Sequence, residues 1–329
     1  MKYIKLGDTD LTVSRIALGC WGFAGGEMWG SQDEADSIAT VNAALEAGIN
    51  FFENAQGYGK GYSEEVLGKA LQGSRHKAII ATKISATTAA TQGIEAACEE
   101  SLKRLQTDYI DLLQPHWPYR HMPAEEIYQA FIKLQEAGKI RAFGVSNYGV
   151  GDLTEILQYG KIVSDQLPYS LLFRAIEYEI QPLCVREQVG VLCYSTLLHG
   201  LLGDKYKSPA DVPDGRGRTR HFSRNRSGTR HNEDGCEEEV FVALNKIRKI
   251  AAEIGHPMAQ ISAAWVLQQP AVATVIAGAR QPEQIRGTAR AADLNLGPSV
   301  IQKLNAATEQ VKQILGPNPD MWSTDSRFR

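Results

Sequence analysis

Short apolar runs of strand length recur along the chain at Ile16–Leu18, Ile49–Phe52, Ala78–Ala81, Tyr109–Leu113, Ala142–Val145, Ile162–Ser164, Val191–Tyr194 and Ala273–Ile276. Between most of them lie stretches of helical period, at 34–47, 63–71, 91–105, 124–137 and 151–159. Runs that are continuously apolar, rather than alternating, suit strands buried on both faces, as in a parallel sheet covered by helices. The recurrence predicts an α/β fold in which eight strand–helix units close into a (β/α)8 TIM barrel; a doubly wound open sheet is the alternative. Ahead of the runs, Tyr3–Leu6 and Leu11–Val13 flank a Gly7-Asp8-Thr9-Asp10 turn and predict a β-hairpin. Two helices at 237–254 and 257–268 precede the eighth run, and another spans 298–315. No linker interrupts the pattern, so residues 1–329 form a single domain. The long irregular stretch at about 196–235, after the seventh run, has the length of a lid-like loop. The tail, 316–329, carries no predicted regular structure.

Composition narrows the function classes. With 43% hydrophobic and 22% charged residues the chain is neither disordered nor fibrous. A net charge of -3, from 35 basic and 38 acidic residues, provides no global field for nucleic acid or an anionic membrane, and neither is expected as a partner. The five cysteines are scattered and form no C-x-x-C pair, which argues against a disulfide framework and a structural zinc site. The N-terminus lacks the apolar core of a signal peptide, and no stretch reaches membrane-spanning length. A cytoplasmic protein is expected, with its oligomeric state open.

Barrel enzymes carry their chemistry at the carboxyl ends of the strands. The polar residues there are Glu53, Asn54 and Tyr58 after the second run, Lys83 after the third, His116 and Trp117 after the fourth, and Ser146 and Asn147 after the fifth. Gln166, Ser195, and Gly278 with Arg280 follow the last three. Leu18-Gly19-Cys20-Trp21 supplies no H-x-H pair for a metal-dependent barrel hydrolase, and no metal is expected. Gly57-Tyr58-Gly59-Lys60-Gly61 has the wrong spacing for a G-x-G-x-x-G dinucleotide loop.

In these segments the sequence resembles the aldo-keto reductase family. The matching stretches are Asn50-Phe51-Phe52-Glu53-Asn54-Ala55-Gln56-Gly57-Tyr58-Gly59 with Ser63-Glu64-Glu65, Ala81-Thr82-Lys83, Asp111 to Pro118, Gly144 to Tyr148, Tyr194-Ser195, and Gly278 to Gln284. They keep the family's order over nearly the whole chain. The resemblance implies a barrel capped by the N-terminal hairpin and an NADP-dependent oxidoreductase that uses NADPH, rather than NADH, to reduce aldehydes or ketones, sugars among them. The region of Trp21 and Trp29 and the long seventh loop are closer to the bacterial and channel-subunit branches than to the mammalian aldose reductase branch.

Carbonyl reduction needs a proton delivered to the oxyanion as it forms. The resemblance assigns Tyr58 as general acid, with Lys83 lowering its pKa, Glu53 as counter-charge to the lysine, His116 orienting the substrate oxygen, and Trp21 and Trp117 as substrate walls. Glu53 and Asn54 stand where the family usually has Asp and commonly Thr. The added carbon-carbon bond of Glu53, roughly 1.5 Å, shifts the carboxylate on a scale to which such sites are sensitive. For the cofactor it implies Ser146, Asn147 and Gln166 on the nicotinamide amide, Tyr194 stacked on its ring, and Ser195 and Leu197 along the pyrophosphate. Arg280 and Gln284 fall at the 2′-phosphate and adenine, with Cys20, Trp21 and Gly278 also nearby. Thr288 replaces an Asn that often contacts the adenine.

The loop at 215–232 holds six arginines, Arg216, Arg218, Arg220, Arg224, Arg226 and Arg230, followed by an acidic run. It reads either as a strap over the bound cofactor or as a solvated insertion paired with those acids. Two functional alternatives accompany the reductase: a nicotinamide-binding regulatory or sensor subunit with little turnover, and a sugar epimerase whose cofactor stays bound.

Overall fold

In the computed structural model, which describes residues 1–26 and 29–329, β1 (Tyr3–Lys5) and β2 (Thr12–Ser14) form the antiparallel hairpin. The parallel sheet follows with β3 (Ile16–Gly19), β4 (Phe51–Glu53), β5 (Ile79–Ile84), β6 (Ile110–Pro115), β7 (Ile140–Phe143), β8 (Val145–Ser146), β9 (Ser164–Pro168), β10 (Gly190–Tyr194) and β11 (Val272–Gly278). Their order around the sheet is β7-β6-β5-β4-β3-β11-β10-β9-β8. β7 and β8 are one barrel stave interrupted at Gly144, the first half bonded to β6 and the second to β9, so the nine segments make eight staves and the barrel closes. A side chain at Gly144 would put its Cβ 2.4 Å from Ser164 Oγ and 3.1 Å from Leu112, which explains a glycine at the break.

Eleven helices are present among the described residues: α1 (Glu34–Glu46), α2 (Tyr62–Ala70), α3 (Ala86–Gln92), α4 (Ile94–Leu105), α5 (Ala124–Glu136), α6 (Val150–Leu157), α7 (Ile180–Glu187), α8 (Glu237–Ile254), α9 (Met258–Leu267), α10 (Pro282–Ala289) and α11 (Pro298–Leu315). Two depart from expectation. The helix expected over 91–105 is split: Ser85 Oγ caps α3 by accepting from Thr88 N at 3.0 Å, and Gly93, at φ 87°, ends it before α4 restarts. Helix α7 has no counterpart in the sequence reading, and its Pro182 does not break it. The proline lies in the first turn, where an amide N–H has no intrahelical partner to lose.

Inward register explains how the barrel makes a site. Side chains two residues apart on a strand point the same way. Phe51, Ala81, Leu112 and Leu192 join Leu6, Leu11 and Val13 of the hairpin in an apolar floor. Two residues further on, Glu53, Lys83, Gln114 and Tyr194 form a polar upper level.

The irregular segments are packed rather than solvated. In the loop after β10, Thr219, His221 and Phe222 are fully buried. Arg220 N donates to Met321 O at 2.9 Å and Arg220 Nη2 to Leu315 O at 2.8 Å, stitching loop to tail. Asp320 and Met321 of the tail are also fully buried. No described helix is long and apolar enough to cross a membrane.

Close packing gives a direct test. A Cβ on Gly68 of α2 would stand 2.7 Å from the Leu105 carbonyl group and 2.8 Å from Arg104 O, at the end of α4. Backbone cannot yield as a side chain does, so Gly68→Ala is expected to cost about 1–3 kcal/mol in urea unfolding. An unchanged midpoint would contradict this packing.

Candidate active site

At the carboxyl end of β4 the carboxylate of Glu53 is met by the ammonium of Lys83 from β5, with side-chain exposures of 3% and 1%. Lys83 Nζ also donates to Asn54 O at 2.7 Å and to Tyr58 Oη at 3.2 Å. Tyr58 Oη donates to Glu53 Oε1 at 3.3 Å. Ion pair and phenol therefore form one hydrogen-bonded cluster. Asn54 itself turns away, its Nδ2 donating to Ser63 O at 2.9 Å and its Oδ1 accepting from Ala55 N at 2.9 Å, which fixes the chain between β4 and the turn carrying Tyr58.

The Tyr58 ring stacks on Trp21 at 5.7 Å and meets the His116 ring edge-on at 6.0 Å. Trp117 lies beside His116 on the cavity wall. Burial, then the positive charges of Lys83 and Arg327, depress His116 to about 3, so its imidazole is neutral across the physiological range.

Tyr58 requires a correction. The sequence reading has Lys83 lowering the phenol, but burial first, then the charge of Glu53 and its acceptance of the phenolic hydrogen bond, raise Tyr58 well above its usual range. The longer carboxylate reaches the phenol as well as the lysine, offsetting the cation. The consequence is a phenol that stays protonated at neutral pH.

Glu53 also reaches across the barrel. Gln166 Nε2 donates to Glu53 Oε1 at 3.1 Å, and Gln166 Oε1 accepts from Gln114 Nε2 at 3.2 Å. Gln114 Oε1 is buried without a partner among the described residues. Ser146 Oγ donates to Gln166 O at 3.2 Å, Asn147 Nδ2 to His116 O at 3.0 Å, and Tyr194 Oη to Asn147 Oδ1 at 2.8 Å. Five strand ends are thus bound into one polar rim.

Apart from Gln114, these groups line a cavity of about 990 Å³ that runs past Ser195, Leu197 and Gly278 to Arg280, Gln284 and Thr288. The chain leaving β10 turns sharply over it, with Ser195, Leu198 and His199 at φ 53°, 41° and 53°. Three left-handed non-glycine residues in five positions are strain of the kind that clusters at ligand sites. Cys20 does not join the lining: its side chain is fully buried in the apolar core, and its main chain bonds to Glu53 O at 2.8 Å. The Cys20 side chain thus lies beneath the site rather than on the cavity wall.

Arg280 occupies the expected rim, but its guanidinium is engaged by the carbonyls of Trp29 and Ser31 and, at 2.6 Å, by Gln32 Oε1. It clasps the chain after β3 to the start of α10. The six loop arginines divide. Arg220, Arg224 and Arg226 pair with Glu233, Asp234 and Glu237 at 2.6, 2.9 and 2.7 Å. Arg216, Arg218 and Arg230 line the cavity with Lys205, and none of these four makes an ion pair among the described residues. Arg218 Nε is buried with no hydrogen-bond partner. The pairing with the acidic run expected of a solvated insertion is present for three of the six arginines, but within a packed loop, and the other three face the groove.

Sequence reasoning missed Lys205, His199, Trp322 and Arg327, all on the cavity wall. The first two lie in the irregular loop and the others in the tail, where no periodicity signals orientation. Among the described residues no group of three or more His, Cys, Asp or Glu side chains could hold a metal ion.

An open-topped barrel with an acid–lysine–phenol cluster at its strand ends and a long cation-lined groove defines an oxidoreductase class, and the chain belongs to the aldo-keto reductase family: the model described as Aldo/keto reductase family matches residues 15–309. Aldo-keto reductase YhdN of Bacillus subtilis (strain 168) is 34% identical, over 96% of this chain and 97% of that protein. A protein named NADH-specific methylglyoxal reductase, of Escherichia coli (strain K12), is 32% identical over 90% of this chain and 95% of its own. Among solved structures, the glycerol dehydrogenase AKR11B4 from Gluconobacter oxydans superposes with a TM-score of 0.80 at 30% identity, covering 96% of this chain and 97% of that one.

Proposed function

We propose that the protein reduces aldehyde or ketone groups with NADPH and that Tyr58 is the general acid. The observation that carries this reading is the Tyr58 hydroxyl held 3.2 Å from Lys83 Nζ and 3.3 Å from Glu53 Oε1 while its ring faces the cavity between Trp21 and His116.

The cavity's length, and the unpaired cations at its far end, fit a nicotinamide dinucleotide. Ser146, Asn147 and Gln166 would hold the amide, already oriented by their mutual bonds and by Tyr194, whose ring offers the stacking face. Ser195, Leu197, Gly278 and Gln284 would border the remainder, and Lys205, Arg216, Arg218 and Arg230 supply charge for its phosphates. When bound, the dinucleotide supplies a hydride to the carbonyl carbon.

The residues then divide the acid chemistry. Tyr58 donates its proton to the carbonyl oxygen as negative charge develops there. Lys83 stabilises the phenolate left behind, and Glu53 is the counter-charge to that buried ammonium. His116, neutral, donates one N–H to the same oxygen and orients it. Trp21 and Trp117 exclude water around the reacting carbon.

Steady-state assays at 340 nm with NADPH and a panel of neutral and anionic aldehydes and hydroxyketones test the reading. Consumption abolished in Tyr58→Phe supports it, and no consumption by the wild-type protein with any member defeats it, leaving nicotinamide binding without turnover. The loop arginines make a second prediction. Arg218→Met is expected to weaken NADPH about tenfold in calorimetry, ~1.4 kcal/mol, with little effect on stability. Arg220→Met is expected to do the reverse, because its bonds hold the tail. Unchanged NADPH affinity in Arg218→Met would remove the phosphate assignment. A relative named for NADH specificity makes the parallel titration with NADH informative, because loss confined to NADPH places Arg218 at the 2′-phosphate.

A further inference from the structure

The tail brings one cation to the opposite end of the cavity, beside the acid cluster. Arg327 lies over the Trp117 ring, its guanidinium carbon 3.7 Å from the ring centroid. Asp320, fully buried, accepts from Arg327 Nε at 2.6 Å and Nη2 at 2.9 Å, and is itself oriented by Trp322 N at 3.0 Å. The main chain is anchored as well. Arg120, paired with Asp152, donates through Nη2 to Arg327 O at 2.7 Å.

A carboxylate on one edge and an indole on one face leave a single open edge. Nη1 has no hydrogen-bond partner among the described residues, the side chain is 44% exposed, and Arg327 lines the cavity together with His116 and Trp117. The described carboxylates lining the cavity are Glu53, already paired with Lys83, and Glu283, which stands with Arg280 and Gln284 at the far end. Among the described residues no hydrogen bond or ion pair engages Arg327 Nη1. A guanidinium so held loses little side-chain freedom on meeting an anion, and its planar fork matches carboxylate or phosphate oxygens.

We propose that Arg327 is the anion anchor of the substrate pocket, and that the preferred substrates are aldehydes or ketones carrying a carboxylate or phosphate group a few atoms from the carbonyl. The anion accepts from Nη1 and from the remaining N–H of Nη2 while the carbonyl oxygen faces Tyr58 and His116. Trp117 then has two tasks, as pocket wall and as the platform beneath the anchor. Asp320 offsets the far field of Arg327 but not its short-range donors, so the discrimination falls on KM more than on encounter rate. The inference rests on the carbonyl-reductase reading above and specifies its substrate class.

Kinetics with two matched pairs test it: succinic semialdehyde against butyraldehyde, and glyceraldehyde 3-phosphate against glyceraldehyde, each at saturating NADPH. The wild-type protein is expected to favour the charged member of at least one pair tenfold or more in kcat/KM, chiefly through KM, and the pair that responds identifies the anion. Arg327→Met keeps an apolar stem on Trp117 and removes the fork; the charged-to-neutral ratio should fall to near one. Arg327→Lys, a charge without a fork, should lie between. A wild-type ratio near one in both pairs overturns the inference. So does an equal loss for both members of a pair in Arg327→Met, which is the mark of a tail that merely packs. Turnover without charge preference removes this inference alone, whereas no turnover of any of the four with NADPH or NADH removes the reductase reading and this with it.

Discussion

Tyr58→Phe should lower kcat for carbonyl reduction by about two to four orders of magnitude, the usual contribution of a positioned general acid, while NADPH binds with nearly unchanged affinity. The ring that stacks on Trp21 at 5.7 Å is retained, so the wall of the cavity survives and only the hydroxyl between Lys83 and Glu53 is lost. Tryptophan fluorescence on nucleotide titration measures the binding half of the prediction, since Trp21 and Trp29 both line the cavity. Parallel loss of binding and turnover would mean that the phenol is structural. The pH profile is a further check with a definite sign. Burial and the charge of Glu53 raise Tyr58 above an ordinary phenol, so its acid form persists and the reductive rate stays flat through neutral pH. It declines only as pH passes above the ordinary phenol value of about 10. Alcohol oxidation needs the phenolate as base and should rise with pH over the same span. A reductive rate that fell between pH 7 and 9 would point to a different proton donor.

What the sequence made legible follows from which forces are local. The barrel strands are buried on both faces, so each reads as an unbroken apolar run, and the inward register then places Glu53 and Lys83 two residues beyond Phe51 and Ala81 without further information. Hence the acid cluster could be named from strand ends. The electrostatic sign at Tyr58 could not, because it depends on how far Glu53 reaches: one methylene lets the same carboxylate oxygen accept from Lys83, Tyr58 and Gln166. Nor could the rim. Arg280 and Arg218 are similar residues in a linear reading, and only long-range partners make the first a clasp on residues 29–32 and leave the second facing the groove. The tail carries no periodic pattern at all. Trp322 and Arg327 reach the cavity because buried Asp320 and the Arg120–Asp152 pair fix a path of irregular backbone, information held in contacts up to 207 residues apart.

The pair at the centre of the site makes the other large effect a matter of stability. Glu53→Leu would leave the buried Lys83 ammonium, 1% of its side chain exposed, with Asn54 O and the Tyr58 hydroxyl as its remaining hydrogen-bond partners among the described residues. Removing one partner of a buried ion pair costs about 3–5 kcal/mol, because the remaining charge keeps its desolvation cost and loses its compensation. The same principle holds that exchanging both partners for apolar groups of similar volume is close to neutral. Glu53→Leu/Lys83→Met should therefore recover most of the unfolding free energy lost in Glu53→Leu while remaining inactive, since Tyr58 has lost the cation that stabilises its conjugate base. Urea unfolding of the two single variants and the double variant yields a coupling energy that separates these terms. A double variant no more stable than its worse parent would show that Glu53 and Lys83 are retained for packing, and that charge compensation is not what holds the ammonium in the barrel. Recovered stability with lost turnover would instead show that the pair is kept for chemistry.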